Sequence, residues 1–349
     1  MKDVYREKTP VLVSVIILNY NGRRYLHRLF SSLNDQTLPA FEIVFVDNAS
    51  SDGSVYLVKE LCKTLRNGLS IKIIEEDTNF GYCQGNNLGA SVVKDGTKYL
   101  VFLNNDTYVD ANWLQNLVQS AELDNKVGFV GSRIDDVYGS SFSTIALNCD
   151  VFGQTERIAL SIDGANDKRL NLRFFYCSGA SLLVPKKVFW EVGGFDEALF
   201  MYHDEIDLCW RIRLSGYNPI IEPSSICYHA TSSERGLNLP VWKYYHGIVK
   251  NRLRVLLKNY NVNSLLKYFP QTMALIIFRG VLSCLVNRNV YYLSALVKGF
   301  LWNIKNLRGT FLKRLEIQQL RKVTDENILA FMLPYSLEFA YFKRFLIHA

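Results

Sequence analysis

The first half of the chain alternates short apolar runs with segments in which apolar residues recur every three or four positions. The runs are typical of buried strands, and the periodic segments are typical of helices that cover a sheet. The runs lie at residues 11–18, 41–47, 70–76, 98–104 and 127–134. The periodic segments lie at residues 23–36, 53–66, 84–95 and 110–124. Asp52 is the expected N-cap of the second segment and Asp110 that of the fourth. The alternation predicts an α/β fold with a Rossmann-like, mostly parallel central sheet and helices on both faces.

The first four predicted strands all end in or lead to Asn or Asp, and Gly lies near three of these ends. Ligands of parallel α/β sheets bind beyond the carboxyl ends of the strands, so these side chains are candidates for a binding site. Asn, Asp and Gly are also ordinary turn formers and helix caps, but four such ends at one edge favour a site. The residues concerned are Asn19, Asn21, Asp47, Asn79, Gly81, Asn104, Asn105 and Asp106.

The second half of the chain is less uniform. Periodicity is weak at residues 136–172, which we interpret as an insertion or flexible loops, and regular patterns return from residue 173. After Pro240 the chain changes to long segments rich in Leu, Tyr, Phe, Lys and Arg, which predict helices. We therefore expect an α/β domain over residues 1–240 and a helical C-terminal region over residues 241–349.

The composition restricts the class of protein and its possible partners. Hydrophobic residues make up 49% and charged residues 21% of the 349 residues, which is ordinary for a globular protein and argues against disorder. The net charge of +7 suits nucleic acid, anionic lipid or a phosphorylated substrate and does not choose among them. The seven Cys residues show no CxxC spacing, so we expect reduced thiols in a cytoplasmic protein. The run at 11–18 predicts a strand and not a signal peptide, and the absence of a long charge-free stretch argues against a clean membrane span.

Seven segments of the chain, taken in order, resemble the motifs of one enzyme family. They are SVIILNYNG, FEIVFVDNASSDGS, DTNFGYCQGNNLGA, FLNNDTYVD, CSGASLLVPKKVFWEVGGFDEALF, DEIDLCWR and CYHATSS. The ordered set resembles the family 2 inverting glycosyltransferases with the GT-A fold, and among them the non-processive, rhamnosyltransferase-like subgroup. The resemblance covers about residues 11–260. It implies a nucleotide-sugar half at about 11–135 and an acceptor half at about 173–240.

The resemblance implies that a sugar nucleotide binds at the ends of the first strands and that Mg²⁺ or Mn²⁺ bridges its two phosphates. Asp106 occupies the last position of the family's DxD-like motif and is the implied metal ligand. Asn104 replaces the first Asp of that motif and adds no charge. His229 matches a family His that reaches the metal or the diphosphate, although a buried His at a strand end is the alternative. Asp47 matches a position that contacts the base or the ribose.

The loop and helix after the third strand complete the implied donor site. Asn79, Gly81 and Gly85 are expected to let the backbone approach the nucleotide. Asn86 or Asn87 is expected to touch the donor sugar or its phosphate, with helix capping as the alternative for both.

The reaction that the resemblance implies also needs a base, because the acceptor hydroxyl must lose its proton as it attacks the anomeric carbon. The resemblance assigns this role to Glu205, with Asp204 as the second choice. A solvated acidic helix start, which the helix dipole favours, is the alternative for the cluster. Asp207 and Arg211 lie four residues apart and predict a structural ion pair.

Two segments correspond to the family's acceptor side. The strand CSGA contains Ser178 and Gly179, and its small residues are expected to leave room for the sugar. The turn GGFDEALF resembles the loop beneath the acceptor, so Phe195 and Asp196 are expected to line that side.

The helices after Pro240 carry apolar faces interrupted by Lys and Arg. They predict either a subdomain packed on the core or interfacial helices on an anionic membrane. The expected partners are a nucleotide-diphosphate sugar, with dTDP-rhamnose or a UDP-sugar as first guesses, a glycan or lipid-linked acceptor, and a candidate anionic membrane surface. We expect a cytoplasmic protein, with peripheral attachment to the inner face of the cell membrane as a candidate, and no nucleic-acid partner.

Other functions fit the pattern less well. A sugar-phosphate nucleotidyltransferase is expected to carry a Gly-rich, Arg/Lys-containing signature where this chain has NYNGRRY. A dinucleotide oxidoreductase needs GxGxxG after its first strand, and a processive synthase needs membrane spans and a Gln-x-x-Arg-Trp motif. Outside enzymes, the alternative is a catalytically inactive, membrane-associated scaffold. Asn104 leaves room for it, whereas the intact Asp47, Asp106 and Glu205 argue against it.

Overall fold

The computed structural model describes residues 12–66, 69–138, 142–161, 173–230 and 241–348. The strands in these ranges are β1 (Val13–Asn19), β2 (Phe41–Asn48), β3 (Leu69–Glu76), β4 (Tyr99–Asn104), β5 (Thr107–Val109), β6 (Val127–Asp136), β7 (Phe142–Cys149), β8 (Thr155–Ser161), β9 (Ser181–Pro185) and β10 (Asn218–His229). The helices that accompany the strands are α1 (Arg23–Asn34), α2 (Ser54–Leu61), α3 (Gly81–Ser91), α4 (Trp113–Ala121), α5 (Lys186–Glu191) and α6 (Asp204–Leu214). The C-terminal helices are α7 (Val241–Asn259), α8 (Val262–Val286), α9 (Tyr291–Lys305), α10 (Leu307–Leu320), α11 (Asp325–Leu329) and α12 (Leu337–His348).

One sheet organises the α/β part, with the strand order β3-β2-β1-β4-β9-β6-β10-β5. The first four strands of this order are parallel to one another, as the alternation of strands and helices predicts. Strand β9 is antiparallel to both β4 and β6, and the short β5 is antiparallel to β10. The predicted α/β fold is therefore confirmed, and its second half contains antiparallel pairings.

The strands of the parallel half are buried on both faces. In β1, Ile16 belongs to one hydrophobic cluster, whereas its neighbours Val15 and Ile17 belong to the cluster on the opposite face. Successive strand residues point to opposite sides, so a continuous apolar run can supply both cores. Helices α1 and α4 cover the Ile17 side, and α3 and α6 cover the Ile16 side.

Three expectations about local structure need correction. Residues 142–161 are not irregular: β7 and β8 form an antiparallel hairpin whose register shifts between Thr144 and Ala146. The N-cap of α4 is Asn112, and the Asp110 side chain, two residues earlier, accepts the backbone N–H of Asn112. The N-cap of α2 is Gly53 and not Asp52. The Asp52 carboxylate accepts backbone N–H groups at the starts of both α1 and α2.

The C-terminal helices take part in the main hydrophobic core. Ile317 of α10 and Ile328 of α11 are buried in the same cluster as Trp210 of α6. The expected domain boundary after Pro240 lies at residues 231–240, outside the described residues.

One helix bears on the expectation that the chain has no clean membrane span. Helix α8 has 25 residues and a mean hydropathy of 1.6 over its most apolar window, so length and composition would allow it to cross a membrane. Only 22% of that window is buried in the protein. Its Thr272 and Arg279 nevertheless contact Phe152 and Gln154 in the turn between β7 and β8.

Candidate active site

The polar residues at the ends of β1, β2 and β4 form one hydrogen-bonded group. Asn19 is buried, and its amide donates to the Asp47 carboxylate at 2.8 Å and to the Ser50 hydroxyl at 3.0 Å. Its own carbonyl oxygen accepts a hydrogen bond from Asn105 Nδ2 at 2.7 Å. The parallel strand order thus brings together the ends of three strands that are distant in the sequence. Asn21 lies at the exposed rim, where its side chain accepts the backbone N–H of Ser51.

Asp106 and His229 form the second polar group of this edge. Their Oδ1 and Nε2 atoms lie 3.1 Å apart, with 8% and 16% of the side chains exposed. Asn104 Nδ2 approaches the same His229 nitrogen at 3.3 Å. The antiparallel pairing of β5 with β10 produces this contact, because it places His229 opposite Thr107.

The Asp106–His229 pair fits a divalent cation that takes most of its ligands from water and from substrate phosphates. Within the described part of the chain, no group of three His, Cys, Asp or Glu side chains surrounds a possible metal position. Mg²⁺ and similar ions are commonly held by one or two protein ligands together with water and substrate phosphates. One carboxylate and one imidazole meet the protein's share of that requirement.

The residues predicted at the start of α3 have structural contacts of their own. The Asn79 side chain accepts the N–H of Gly81, and Gly81 has φ +84°. A side chain at Gly81 would also collide with the backbone oxygen of Phe200 at 2.7 Å. Asn86 is 2% exposed and donates to the Tyr82 carbonyl. Through these contacts, Asn79 and Gly81 determine the conformation of the turn between β3 and α3, at the candidate binding edge of the sheet.

Gly85 needs a different explanation from the expected approach to a nucleotide. A Cβ at this position would collide with the Leu18 side chain of β1. The missing side chain therefore allows α3 to pack closely on the sheet beside Leu18, next to the carboxyl end of β1. The expectation for Asn87 is corrected in the same way, because its amide makes paired hydrogen bonds with the backbone of Phe195.

The acidic residues at the start of α6 lie beside the CSGA segment. A Cβ placed on Gly179 would stand 3.6 Å from the Glu205 Cβ and 3.1 Å from the Tyr82 hydroxyl, which donates to the Gly179 carbonyl. The next residue, Ala180, accepts the backbone N–H of Asn104 at 3.1 Å. Glu205 is thus connected to the end of β4 through the four-residue CSGA segment. The expectation that the small residues of this segment leave room for the sugar stays a prediction.

The two adjacent acids are not equivalent. Burial and the neighbouring Glu205 carboxylate raise the pKa of Asp204 well above its ordinary range, and burial raises the pKa of Glu205 as well. The hydrogen bond between the two side chains raises the pKa of Asp204 further and lowers that of Glu205. The pKa of Asp204 is therefore raised more strongly than that of Glu205, so Glu205 loses its proton at the lower pH.

Phe195 and Asp196 do not line the acceptor side. Phe195 is 2% exposed and packs against Tyr82 and Phe102. Asp196 is 5% exposed and forms ion pairs with Arg254 and Lys258 of α7. A buried carboxylate with two cationic partners is structural, so the expectation for both residues is corrected. Ser178 accepts the backbone N–H of Ala180 through its hydroxyl and keeps the CSGA turn closed.

Three residues near this edge lacked a clear sequence signal. Tyr82 follows Gly81 directly, but nothing in the helical pattern indicates that its hydroxyl reaches Gly179. Arg157 of β8 lowers the pKa of Glu205 electrostatically, and it lies in the segment that lacks clear periodicity. Asn48 holds the turn before α3 by pairing with Asn79 and Phe80, and its position directly after Asp47 was the available signal.

Comparison with known proteins shows the family of this chain. Residues 14–193 match the family described as Glycosyl transferase family 2. The chain belongs to this family. The matched residues contain the edge from Asn19 to Gly179, whereas Asp204, Glu205 and His229 follow after them.

One relative of this family 2 chain is the N-acetylglucosaminyl-diphospho-decaprenol L-rhamnosyltransferase of Mycobacterium tuberculosis. It is 23% identical over 245 residues, which are 64% of this chain and 78% of the relative. For three other curated relatives, the matched part spans 25%, 63% and 42% of the relative's length, so the chain spans less than two thirds of each.

Two solved structures resemble this family 2 chain in fold. GalNAc-T7 with UDP, GalNAc and Mn²⁺ gives a TM-score of 0.59 at 20% identity, and the match covers 76% of this chain and 51% of that one. The mannosyltransferase PcManGT from Pyrobaculum calidifontis with GDP-Man and Mn²⁺ gives a TM-score of 0.54 at 18% identity, and it covers 91% and 88%. The expected GT-A fold is confirmed by this likeness.

Proposed function

We propose that the protein is an inverting glycosyltransferase that moves a sugar from a nucleoside-diphosphate donor to a hydroxyl group of a glycan or lipid-linked acceptor. The observation that carries the proposal is the position of Glu205. Its Cβ lies close to Gly179 of the CSGA segment, and Ala180 of that segment accepts the N–H of Asn104, two residues before Asp106, which pairs with His229. A single displacement at an anomeric carbon requires a base and a diphosphate site close to each other, and one edge of the sheet carries both.

On the donor side, the nucleotide contacts Asp47, Asn19 and Asn105. Mg²⁺ or Mn²⁺ would be held by Asp106 and His229. Such a cation, when bound, neutralises the charge that develops on the leaving diphosphate. The Asn19 amide connects Asp47 to Asn105, so the nucleotide contacts and the cation ligands share one rigid frame. Asn104 supplies no charge and orients His229.

On the acceptor side, Glu205 takes the proton of the attacking hydroxyl. The acceptor oxygen forms a bond to the anomeric carbon while the bond from that carbon to the diphosphate oxygen breaks, and the diphosphate leaves with the electron pair. Asp204 keeps its own proton and donates a hydrogen bond to Glu205. Attack from the face opposite the diphosphate inverts the anomeric configuration.

The substrates follow from the relatives by analogy. The Mycobacterium tuberculosis relative is named as a rhamnosyltransferase that acts on a diphospho-decaprenol lipid, and the structural neighbours contain UDP or GDP-Man with Mn²⁺. We therefore propose dTDP-rhamnose or a UDP-sugar as the donor and a lipid-linked saccharide as the acceptor.

The C-terminal helices supply a surface that suits a lipid-linked acceptor. On α9, Val297, Leu301 and Ile304 are exposed at helical spacing, and Lys298 and Lys305 flank them. An apolar stripe bordered by Lys is typical of helices that lie in the surface of an anionic membrane. We propose that α9 and its neighbours dock the protein on the inner face of the cell membrane.

The test is the thermal stability of the purified full chain with UDP, GDP or dTDP, each with and without Mn²⁺. A ligand that binds the native state raises the melting temperature. We expect a Mn²⁺-dependent increase with one nucleotide, and its loss in Asp106→Ala. An unchanged melting temperature with every nucleotide would favour the inactive scaffold, and a shift that survives Asp106→Ala would remove Asp106 from the metal site.

A further inference from the structure

The loop directly before Glu205 has an unusual backbone. Phe200, Tyr202 and His203 all have positive φ angles, at 65°, 73° and 60°. Phe200 is the centre of a tight γ-turn, closed by the hydrogen bond from the N–H of Met201 to the carbonyl of Leu199 at 2.8 Å. Non-glycine residues adopt such conformations only when their surroundings impose them. Some other part of the protein must therefore hold this loop.

The loop is held by two adjacent residues of α7. The amide nitrogen of Asn251 lies 3.0, 2.8 and 2.7 Å from the carbonyl oxygens of Leu199, Met201 and Tyr202. Lys250 Nζ donates to the Leu199 carbonyl at 3.3 Å and to the Ala198 carbonyl at 3.0 Å. Asn251 is fully buried and Lys250 is 9% exposed, so water does not compete for these carbonyl groups.

The held loop contacts both sides of the candidate active site. The Phe200 carbonyl accepts the N–H groups of Tyr82 and Cys83, which fixes the start of α3. His203 is the N-cap residue of α6, and Glu205 follows two residues later. A shift of the loop therefore changes the direction of the Glu205 carboxylate and the position of the Tyr82 hydroxyl together.

We propose that the Lys250–Asn251 pair of α7 positions the base of the reaction by holding the loop at residues 199–203 in its strained conformation. This inference rests on the proposed function. Neither side chain touches the reacting atoms, so both are positioning residues. The pair lies beyond the residues that match the family, 14–193.

The chemistry of Asn251 allows a sharp test. In the part of the chain that the structure describes, its Oδ1 atom is buried without a hydrogen-bond partner, so only the amide nitrogen is used. Asn251→Asp keeps the shape of the side chain but places an oxygen against three carbonyl oxygens, which removes the hydrogen bonds.

Asn303 of α9 is the matched control. It is 6% exposed, its amide donates to the carbonyls of Lys250 and Gly299 at 3.0 Å each, and its Oδ1 also lacks a partner within the described ranges. Asn303→Asp makes the same chemical change at a similar depth, but it loosens the contact between α9 and α7 and leaves the hydrogen bonds to the loop in place.

The experiment measures two quantities on the full chain. The first is release of nucleoside diphosphate from dTDP-rhamnose, UDP-GlcNAc and GDP-mannose with Mn²⁺ and water as acceptor. The second is hydrogen–deuterium exchange in peptides that cover residues 81–84 and 199–206. For Asn251→Asp we expect kcat to fall about 10²-fold, as for other small displacements of a catalytic group, while KM for the donor stays within about twofold. Exchange in both peptides is expected to accelerate, and Asn303→Asp is expected to leave kcat, KM and exchange unchanged.

The outcomes separate the inference from the proposed function. Wild-type release with an unchanged kcat in Asn251→Asp, or an equal loss in Asn303→Asp, would overturn the positioning role alone. No release by the wild type from any donor would overturn the proposed function and the inference with it. If Asn251→Asp does not fold, Lys250→Met serves as the second variant. It should lower kcat about tenfold at constant KM, and an unchanged kcat would overturn the inference.

Discussion

At the scale of single residues, the surroundings shift the pKa values of two neighbouring carboxyl groups by different amounts. Asp204 and Glu205 follow one another in the chain, and desolvation raises the pKa of both. The pKa of Asp204 is raised more strongly, so Glu205 loses its proton at the lower pH. The same logic assigns acid and base roles wherever two carboxyl groups have unequal surroundings.

This difference predicts unequal effects of two isosteric substitutions. Glu205→Gln removes the base and should lower kcat by about 10²- to 10⁴-fold, without changing the Mn²⁺-dependent stabilisation by nucleotide. Asp204→Asn keeps an N–H donor towards Glu205 and should lower kcat by less than about tenfold. Initial rates of nucleoside-diphosphate release measure both. Equal losses in the two variants would contradict the assignment of the proton to Asp204.

The same pair determines the expected pH dependence. Glu205 acts only when ionised, and burial raises its pKa above the ordinary value of 4.5. The rate of the wild type should therefore fall as the pH decreases, with a midpoint above 4.5.

At the scale of elements, a buried charge network fastens α7 to the α/β part. Lys258 Nζ contacts the carboxylates of Asp196 and Asp207, which also pair with Arg254 and Arg211. Burial alone would raise the pKa of both acids, but the cations overcome this effect and hold both values below the ordinary range. Asp207 and Arg211 form the predicted i, i+4 ion pair, which is confirmed at 2.8 Å.

Removing the central cation should cost much more than removing an exposed one. Lys258→Met leaves two buried carboxylates with one cationic partner each and should lower the free energy of unfolding by about 3 kcal/mol or more. The control is Lys59→Met, which breaks an ion pair with Glu75 whose side chains are 53% and 52% exposed and should cost less than about 1 kcal/mol. Urea unfolding curves of both variants measure the difference, and similar midpoints would contradict the structural role of Lys258.

At the scale of the whole molecule, exposed apolar side chains concentrate on the C-terminal helices. Leu285, Leu301, Ile304 and Leu315 are each between 58% and 69% exposed. The same helices also contribute Ile317 and Ile328 to the main core. The two expectations for this region are therefore compatible, because one side packs on the α/β part and another faces outward.

Membrane docking should respond to substitutions that leave the core intact. We expect the full chain to float with vesicles that contain phosphatidylglycerol, and the Leu301→Glu, Ile304→Glu double variant to stay in the aqueous fraction. The control variant carries Leu123→Glu and Tyr56→Glu, at positions that are 76% and 68% exposed on the α/β part. Flotation of the helix variant at the wild-type level would contradict docking through α9.

The local pattern of the sequence determined the strands and helices of the first half and the polar residues at the strand ends. Continuous apolar runs and a period of 3.6 residues are patterns of neighbouring positions, so β1, β2, β4 and the helices between them could be predicted. The ion pair of Asp207 with Arg211 was predictable for the same reason, because both lie on one helix.

Only the tertiary structure decided which of these residues meet. The antiparallel place of β9, the hairpin of β7 and β8, and the burial of Phe195 and Asp196 depend on contacts between distant segments. The unequal pKa shifts of Asp204 and Glu205 and the hydrogen bonds from Asn251 to the loop before them have the same origin. Burial, pKa and hydrogen-bond partners are properties of an environment that assembles only when remote parts of the chain pack together, so no local pattern records them.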